Sequence, residues 1–410
     1  MLSAEDQDRL TRVGPGTPMG ELLRRYWMPV AATGALAREP VVPVRILGED
    51  LALFRDAAGR FGLVEARCPH RGASLAHGWV DGEGLRCPYH GWRFDRGGRC
   101  LDAPAAGADA PRSGAGVDVR AYPVRELGGL LFAYLGPAPA PLLPRFDALV
   151  EENALRDVGQ ALLPCNFLQI MENSVDPLHV EWLHGRALRD RRRRAGQDGP
   201  EHYGRRHLRI EFERFEFGIL KRRVLEGDDE SGDDWRIGHP LVFPVMLRVG
   251  SFRQLRLQFR VPVDDTHTRH LWYSCYRPPE GEVLEPQGEV PLYEVPWRDE
   301  RGAFRVDFVD GQDVMTWVTQ GAIADRTREH LGAGDRGIVM LRSLYLEQIA
   351  RVESGLDPLG VRRDPSDDRR IDLPCEREKF GRGAAHLRES LRLGHARFSP
   401  LFDRIAQLFD

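Results

Sequence analysis

Cysteine is scarce in this sequence, six in 410 residues, and the net charge is small, a formal −4. A chain so close to neutral gives no electrostatic reason to expect nucleic acid or an anionic membrane as a partner. No apolar run approaches the roughly 20 residues of a membrane span. The N-terminus, Met1-Leu2-Ser3-Ala4-Glu5-Asp6, lacks the basic and apolar segments of a secretory signal, so the expectation is a cytoplasmic protein. Cys100, Cys165, Cys275 and Cys375 show no paired spacing and read as reduced thiols. A dinucleotide fingerprint is missing too. The stretch from Gly14 to Gly20 follows no strand, and Thr17-Pro18 reads as an N-cap with proline at the first position of a helix over 19–27. With 42% hydrophobic and 29% charged residues, the chain is globular and has room for two cores.

The other two cysteines come with histidines. Cys68-Pro69-His70 is followed, sixteen residues later, by Cys87-Pro88-Tyr89-His90. Two thiols and two imidazoles in two short pairs make a metal site. Zinc accepts Cys₂His₂, but zinc fingers run Cys-Cys and then His-His, whereas each pair here holds one of each. That order suits a Rieske [2Fe–2S] centre, with Cys68 and Cys87 on one iron and His70 and His90 on the other. Structural zinc is the alternative.

Around these pairs the pattern is short β-rich segments at 42–46, 51–55, 61–66, 84–87, 93–95, 119–124 and 130–135. Hairpin turns are expected at Asp56-Ala57-Ala58-Gly59 and Asp95-Arg96-Gly97-Gly98. The stiff run Gly136-Pro137-Ala138-Pro139-Ala140-Pro141 places a boundary between a domain at 1–141 and a second at 142–410. Strand-like runs at 208–217, 219–225, 241–248, 255–261 and 269–276 precede helical patterns from Asp313 onward, so the fold class is α+β.

The second domain opens with Glu172-Asn173-Ser174-Val175-Asp176-Pro177-Leu178-His179-Val180-Glu181-Trp182-Leu183-His184. Two histidines five apart lie about 140° apart on an unbroken α-helix. The chain is therefore expected to turn between them, with Gly185 as a stop. Two histidines and one distant carboxylate form the facial triad that holds mononuclear Fe(II) and leaves positions open for O₂. Asp307, Asp310 and Asp313 compete for the carboxylate; Asp313 stands where a helix is expected to begin and could simply cap it. Asp176, before Pro177, could be a cap as well. Arg189-Asp190-Arg191-Arg192-Arg193-Arg194 reads as a solvated loop, or as an electropositive rim. Arg222, Arg223 and Arg236, on or beside the strands, could bind a substrate carboxylate bidentately or lie on the surface.

Several segments together resemble one family. They are Arg71-Gly72-Ala73-Ser74, Gly91-Trp92-Arg93-Phe94-Asp95, the run from Glu172 to His184, and Gln312-Asp313 with Val318-Thr319-Gln320-Gly321 and Ala324-Asp325-Arg326. They are similar to the oxygenase (alpha) component of the phthalate 4,5-dioxygenase-like group of Rieske non-haem iron oxygenases. The likeness covers most of the chain and is weakest over 186–300. It implies an N-terminal Rieske antiparallel β-sandwich followed by a helix-grip catalytic domain. It implies Fe(II) on His179, His184 and Asp313, with Asp176 and Asn173 as catalytic residues. Asp176 would link a ligand histidine to a cluster histidine across a subunit boundary. Respiratory Rieske proteins place a disulfide and a hydroxyl donor where this chain has Ala73, Tyr89 and Trp92, so a low cluster potential is expected.

The resemblance further implies a separate flavin/iron–sulfur reductase that delivers electrons from NAD(P)H, with O₂ and a small aromatic, anionic substrate. The outcome would be cis-dihydroxylation, monohydroxylation or oxidative demethylation. Within one chain 88 residues separate His90 from His179. A head-to-tail ring, a homotrimer or a multiple of three, would bring one subunit's cluster beside the next subunit's iron. A non-catalytic Rieske electron-transfer or ligand-sensing protein is the alternative class.

Overall fold

The computed structural model describes residues 2–104 and 117–409. Thr17 caps the helix Pro18–Leu23 as its sequence predicts, its hydroxyl accepting from the Gly20 N–H. The helix stops short of residue 27 because Trp27–Ala32 is a strand, antiparallel to Leu130–Tyr134. Pairing with a distant strand here overrides the local helical pattern.

Two four-stranded antiparallel sheets form the N-terminal sandwich. One runs Val41–Ile46, Glu49–Arg55, Phe61–Glu65 and Ala121–Tyr122; the other runs Trp79–Asp81, Gly84–Arg86, Arg93–Asp95 and Cys100–Asp102. Both expected turns form, with Gly59 N–H donating to Asp56 C=O and Gly98 N–H to Asp95 C=O. The strand expected at 119–124 is broken at Pro123, which has no N–H for a ladder. Ala121–Tyr122 pairs with Phe61–Glu65, whereas Val124–Leu127 pairs with Leu130–Tyr134 in a separate three-stranded sheet. Phe54, Val64, Leu85 and Phe94 fill the sandwich, and Cys68 and Cys87 are part of that core.

The larger part of the chain carries an eight-stranded sheet in the order His207–Phe215, Gly218–Leu225, His239–Val242, Met246–Ser251, Gln254–Asp264, His267–Tyr276, Leu155–Leu163 and Leu292–Glu294. Every neighbouring pair is antiparallel except the last. The single strand expected over 241–248 is two, turned at Phe243-Pro244-Val245, where proline again cannot serve the ladder. Along Gln254–Asp264 side chains alternate between faces. Leu255, Leu257, Phe259 and Val261 join the hydrophobic core, and Phe259 meets Phe132 of the three-stranded sheet edge-on at 6.1 Å. The opposite face carries Gln254, Arg256, Gln258 and Arg260.

The helix Arg336–Glu353 buries Leu341, Leu344, Tyr345, Ile349 and Val352. That stripe follows the helical period, and each side chain contributes roughly 2 kcal/mol. Tyr345 packs against Phe167 of the helix Phe167–Ser174 and against Phe243 at the strand turn. Glu172 joins the helices by charge, accepting from Arg326 at 2.8 Å and from Arg342 at 2.7 Å in a buried cluster. Among the described residues no helix is long and apolar enough to cross a membrane.

Candidate metal centres and active-site cavity

Each Cys/His pair sits in a turn of the same construction. Gly72 N–H donates to Cys68 C=O, and Gly91 N–H to Cys87 C=O. Both glycines adopt the left-handed conformation, φ +71° and +75°, which a side chain would strain. The turns bring the two imidazoles together, ring centroids 4.5 Å apart, while both thiols stay buried. Trp92 lies flat against His70, 3° from parallel, and its indole N–H is buried without an acceptor among the described residues. Burial pushes the Cys68 thiol up to about 11, with Cys87 beside it adding to the rise. Only one group of three or more His, Cys, Asp and Glu side chains among the described residues brings its ligand atoms within 4.8 Å of one another, and it is not this one. Ligands to a single tetrahedral zinc would be gathered that closely. Four donors split between two irons need not be, so the residues fit a [2Fe–2S] cluster better than zinc.

The group that does gather is His179, His184 and Asp313. The chain does not turn between the histidines, and Gly185 is no stop. Val180–Ala187 is a π-helix that runs on into the α-helix Leu188–Arg194. With i→i+5 hydrogen bonding, residues five apart come to nearly one turn, so one face presents both imidazoles. Gly185 is instead a contact point: a Cβ there would lie 2.4 Å from the Gly204 Cα. The arginine run is likewise helix and not loop, with Arg194 paired to Asp190 at 2.9 Å and largely exposed.

Each ligand atom is aimed by its neighbours. His179 Nδ1 lies 2.5 Å from the Asp176 carbonyl oxygen and His184 Nδ1 lies 3.0 Å from Gln312 Oε1. Acceptors at both Nδ1 positions fix the proton there and leave each Nε2 lone pair free. The two Nε2 atoms stand 3.8 Å and 3.1 Å from Asp313 Oδ1, a buried oxygen with no hydrogen-bond partner. Burial disfavours the His184 imidazolium, but Asp313 and Gln312 outweigh it and raise the pKa. Asp313 lies inside the helix Val309–Thr319, which Phe308 caps, so the capping explanation is excluded. Its competitors are engaged elsewhere, Asp307 with Arg397 at 2.6 Å and Asp310 with the His395 N–H at 2.7 Å.

Asp176 makes the turn bond expected of a cap, its Oδ1 accepting from the Leu178 N–H at 2.9 Å. Its Oδ2 lies 3.7 Å from His179 Nδ1, and its side chain remains 28% exposed, which leaves that oxygen open to a further donor.

The three ligand candidates form one wall of a cavity with an empty volume of about 940 Å³, its mouth included, and Asn173 lines it as well. Of the three strand arginines only Arg223 reaches it. Arg222 and Arg236 lie outside it, a correction to the sequence reading that has a simple cause. Alternation along Gly218–Leu225 turns Lys221 and Arg223 inward and Arg222 outward, where it bonds Glu213 at 2.6 Å and the Trp235 and Arg236 carbonyls. The sequence reading missed Lys221, Arg256, Arg260 and Lys379, all of which line the cavity. Burial, with repulsion from Arg223 and Lys379, pulls Lys221 down to about 7. Burial likewise lowers Arg260 to about 9. A period-two signal for the two arginines was present in Gln254-Leu255-Arg256-Leu257-Gln258-Phe259-Arg260-Val261. Gln312, also missed, had no signal beyond its place next to Asp313.

Comparison with known proteins matches the Rieske [2Fe-2S] domain family to residues 26–123 and the family described as LigXa C-terminal domain like to residues 300–371. The chain is 42% identical, over 91% of its length and 87% of the relative's, to the 5,5'-dehydrodivanillate O-demethylase oxygenase subunit of Sphingobium sp. (strain NBRC 103272 / SYK-6). It is 35% identical to the phenoxybenzoate dioxygenase subunit alpha of Ectopseudomonas oleovorans, over 88% of both chains. To the phthalate 4,5-dioxygenase oxygenase subunit of Pseudomonas putida it is 31% identical, over 88% of this chain and 89% of that one. Among solved structures, Pseudomonas putida CBB5 NdmA shares the fold with a TM-score of 0.60 at 20% identity, covering 82% of this chain and 93% of that one.

Proposed function

The chain belongs to the Rieske non-haem iron oxygenases, as the oxygenase component of a multicomponent system, and from that premise we propose that it hydroxylates or O-demethylates an aromatic carboxylate at an iron held by His179, His184 and Asp313. When bound, the iron supplies the O₂ chemistry, using electrons that originate in NAD(P)H and arrive from a separate reductase through the [2Fe–2S] cluster. The protein's own contribution is positioning and charge. Asp176 and Gln312 hold the two imidazoles with Nε2 presented, and Asp313 completes the facial set on the cavity wall. Trp317, Val309 and Phe380 offer apolar surface for an aromatic ring and limit the water around it.

The observation that carries the substrate reading is the buried cation Arg256. It lines the cavity, is only 6% exposed, and finds no partner for Nε or Nη2. A buried guanidinium without a partner is costly, and a ligand carboxylate would relieve it with charge-assisted hydrogen bonds. The names of the relatives point the same way: dehydrodivanillate, phenoxybenzoate and phthalate are aryl acids. A panel of matched acids, amides and esters, scored by product formed, tests the reading. The acids should be preferred, and Arg256→Met should weaken their binding by about 2–5 kcal/mol while Arg222→Met leaves it unchanged. Preference for the neutral members would overturn it.

Domains at 1–141 and 142–410, and a head-to-tail trimer or multiple of three, remain part of the proposal. The partly exposed Asp176 carboxylate supports a link to the cluster histidine of a neighbouring subunit. Asp176→Asn should keep both metal centres and slow turnover; full activity would return Asp176 to its turn-forming role.

A further inference from the structure

A π-helix is rare and is mostly confined to a single turn. Val180–Ala187 holds that conformation over eight residues, and the mononuclear site depends on it, because His179 and His184 share a face only in this register. A second pair in the same segment has the same spacing. Glu181 Oε1 accepts from Arg186 Nη2 at 2.8 Å, and on an α-helix these two side chains would also point about 140° apart. The ion pair and the iron ligands therefore require one and the same backbone register.

Glu181 supplies a reason for the chain to choose it. Its carboxylate is buried, 4% exposed, and a buried charge demands a partner. Oε2 accepts the His207 N–H at 3.2 Å, where the strand His207–Phe215 begins. The His207 imidazole stands 3.5 Å from the same oxygen, but burial pulls its pKa down to about 4, so it is neutral and no substitute for a cation. Arg186 is the cation, and an α-helical register would carry it away. Its guanidinium also lies 4.2 Å from the Trp182 ring centroid, which holds it over the outer surface of the helix. Four residues beyond Glu181, Gly185 abuts Gly204 at the end of the turn Glu201–Gly204. The π-helix is thus seated on residues 204–207 at two points, with Glu181 at one of them.

We propose that Glu181 and Arg186 are positioning residues for the mononuclear iron: their ion pair locks the π-helical register that turns His179 and His184 to one side. Neither touches the iron ligands, and the pair acts only through the backbone between them. This rests on the reading of His179, His184 and Asp313 as the iron site. A buried or partly buried ion pair used to fix register is a role that its net stability alone would not justify.

The test is chelator competition for Fe(II) on full-length, cluster-loaded protein, with the cluster's visible spectrum as the check on folding and the EPR of the nitric oxide adduct of the mononuclear iron as the report on its geometry. Arg186→Met, which keeps the alkyl stem on Trp182 and loses the charge, should weaken Fe(II) binding at least about tenfold and alter the EPR line shape. Arg186→Lys should retain most of the affinity. In Glu181→Gln/Arg186→Met no charge is left buried, yet the register is still unlocked, so Fe(II) binding should remain as weak as in the weaker single variant. Wild-type affinity or an unaltered line shape in Arg186→Met, or recovery of wild-type affinity in the double variant, overturns the lock while leaving the iron site standing. If wild type binds no Fe(II) beyond the cluster, the iron-site reading itself fails.

Discussion

Replacing Gln312 by leucine probes how the site aims its ligands. Gln312 is 1% exposed; its Oε1 stands 3.0 Å from His184 Nδ1 and its Nε2 donates to the Val306 carbonyl at 3.1 Å. Leucine keeps the approximate volume and removes both bonds. The buried Nδ1–H is then stranded, at a cost of about 1–3 kcal/mol. More tellingly, nothing then holds the proton on Nδ1, so the tautomer that frees Nε2 loses its advantage. Losses of this kind lower metal affinity by about 10–100-fold. Chelator competition for Fe(II), run beside thermal denaturation of the metal-free protein, measures the two effects separately. Gln312→Glu, which keeps an acceptor for Nδ1–H but not the donor to Val306, should recover much of the iron affinity. An unchanged Fe(II) affinity in Gln312→Leu would refute the reasoning.

Three other predictions concern the frame around the site. Glu172→Gln leaves Arg326 buried without its anion, while Arg342 keeps Glu329, and should cost about 3–5 kcal/mol in denaturant unfolding; a loss under 1 kcal/mol would mean the cluster tolerates its own charge. Asp157 is fully buried and desolvation raises its pKa to about 7 from 3.8. The folded state therefore binds more protons between those values, and stability falls as pH rises from about 4 to 7. Asp157→Asn should flatten that slope, converging with wild type near pH 4 and exceeding it by up to about 4 kcal/mol above pH 7, as urea titrations across pH would show. Gly185→Ala places a methyl against the Gly204 backbone, so the π-helix must shift; mononuclear iron should fall while the cluster's visible spectrum persists.

The chemistry of the cluster was legible because Cys68, His70, Cys87 and His90 lie in two short pairs whose order discriminates between metals. His179 and His184 were legible as residues but not as geometry. Reading by a 3.6-residue period separates them, and the π-helix that reunites them has no signature in a single sequence. Asp313 could not be chosen over Asp307 and Asp310 from spacing, because the triad closes only after the helix Val309–Thr319 packs against the histidine helix. The arginines failed for a different reason. Alternation in Gln254–Asp264 marked one face as polar, but a sequence does not distinguish a face turned to water from one turned to a buried cavity. Of Arg222 and Arg223, adjacent and chemically identical, only the strand register decides which points inward.

The central claim is that His179, His184 and Asp313 hold a mononuclear iron separate from the cluster. Iron content and EPR of wild type and Asp313→Ala test it most directly. The account predicts about three irons per wild-type chain and about two in Asp313→Ala, with the Rieske signal of the cluster unchanged. Full iron content in Asp313→Ala, or loss of the cluster signal with the mononuclear iron, would contradict it.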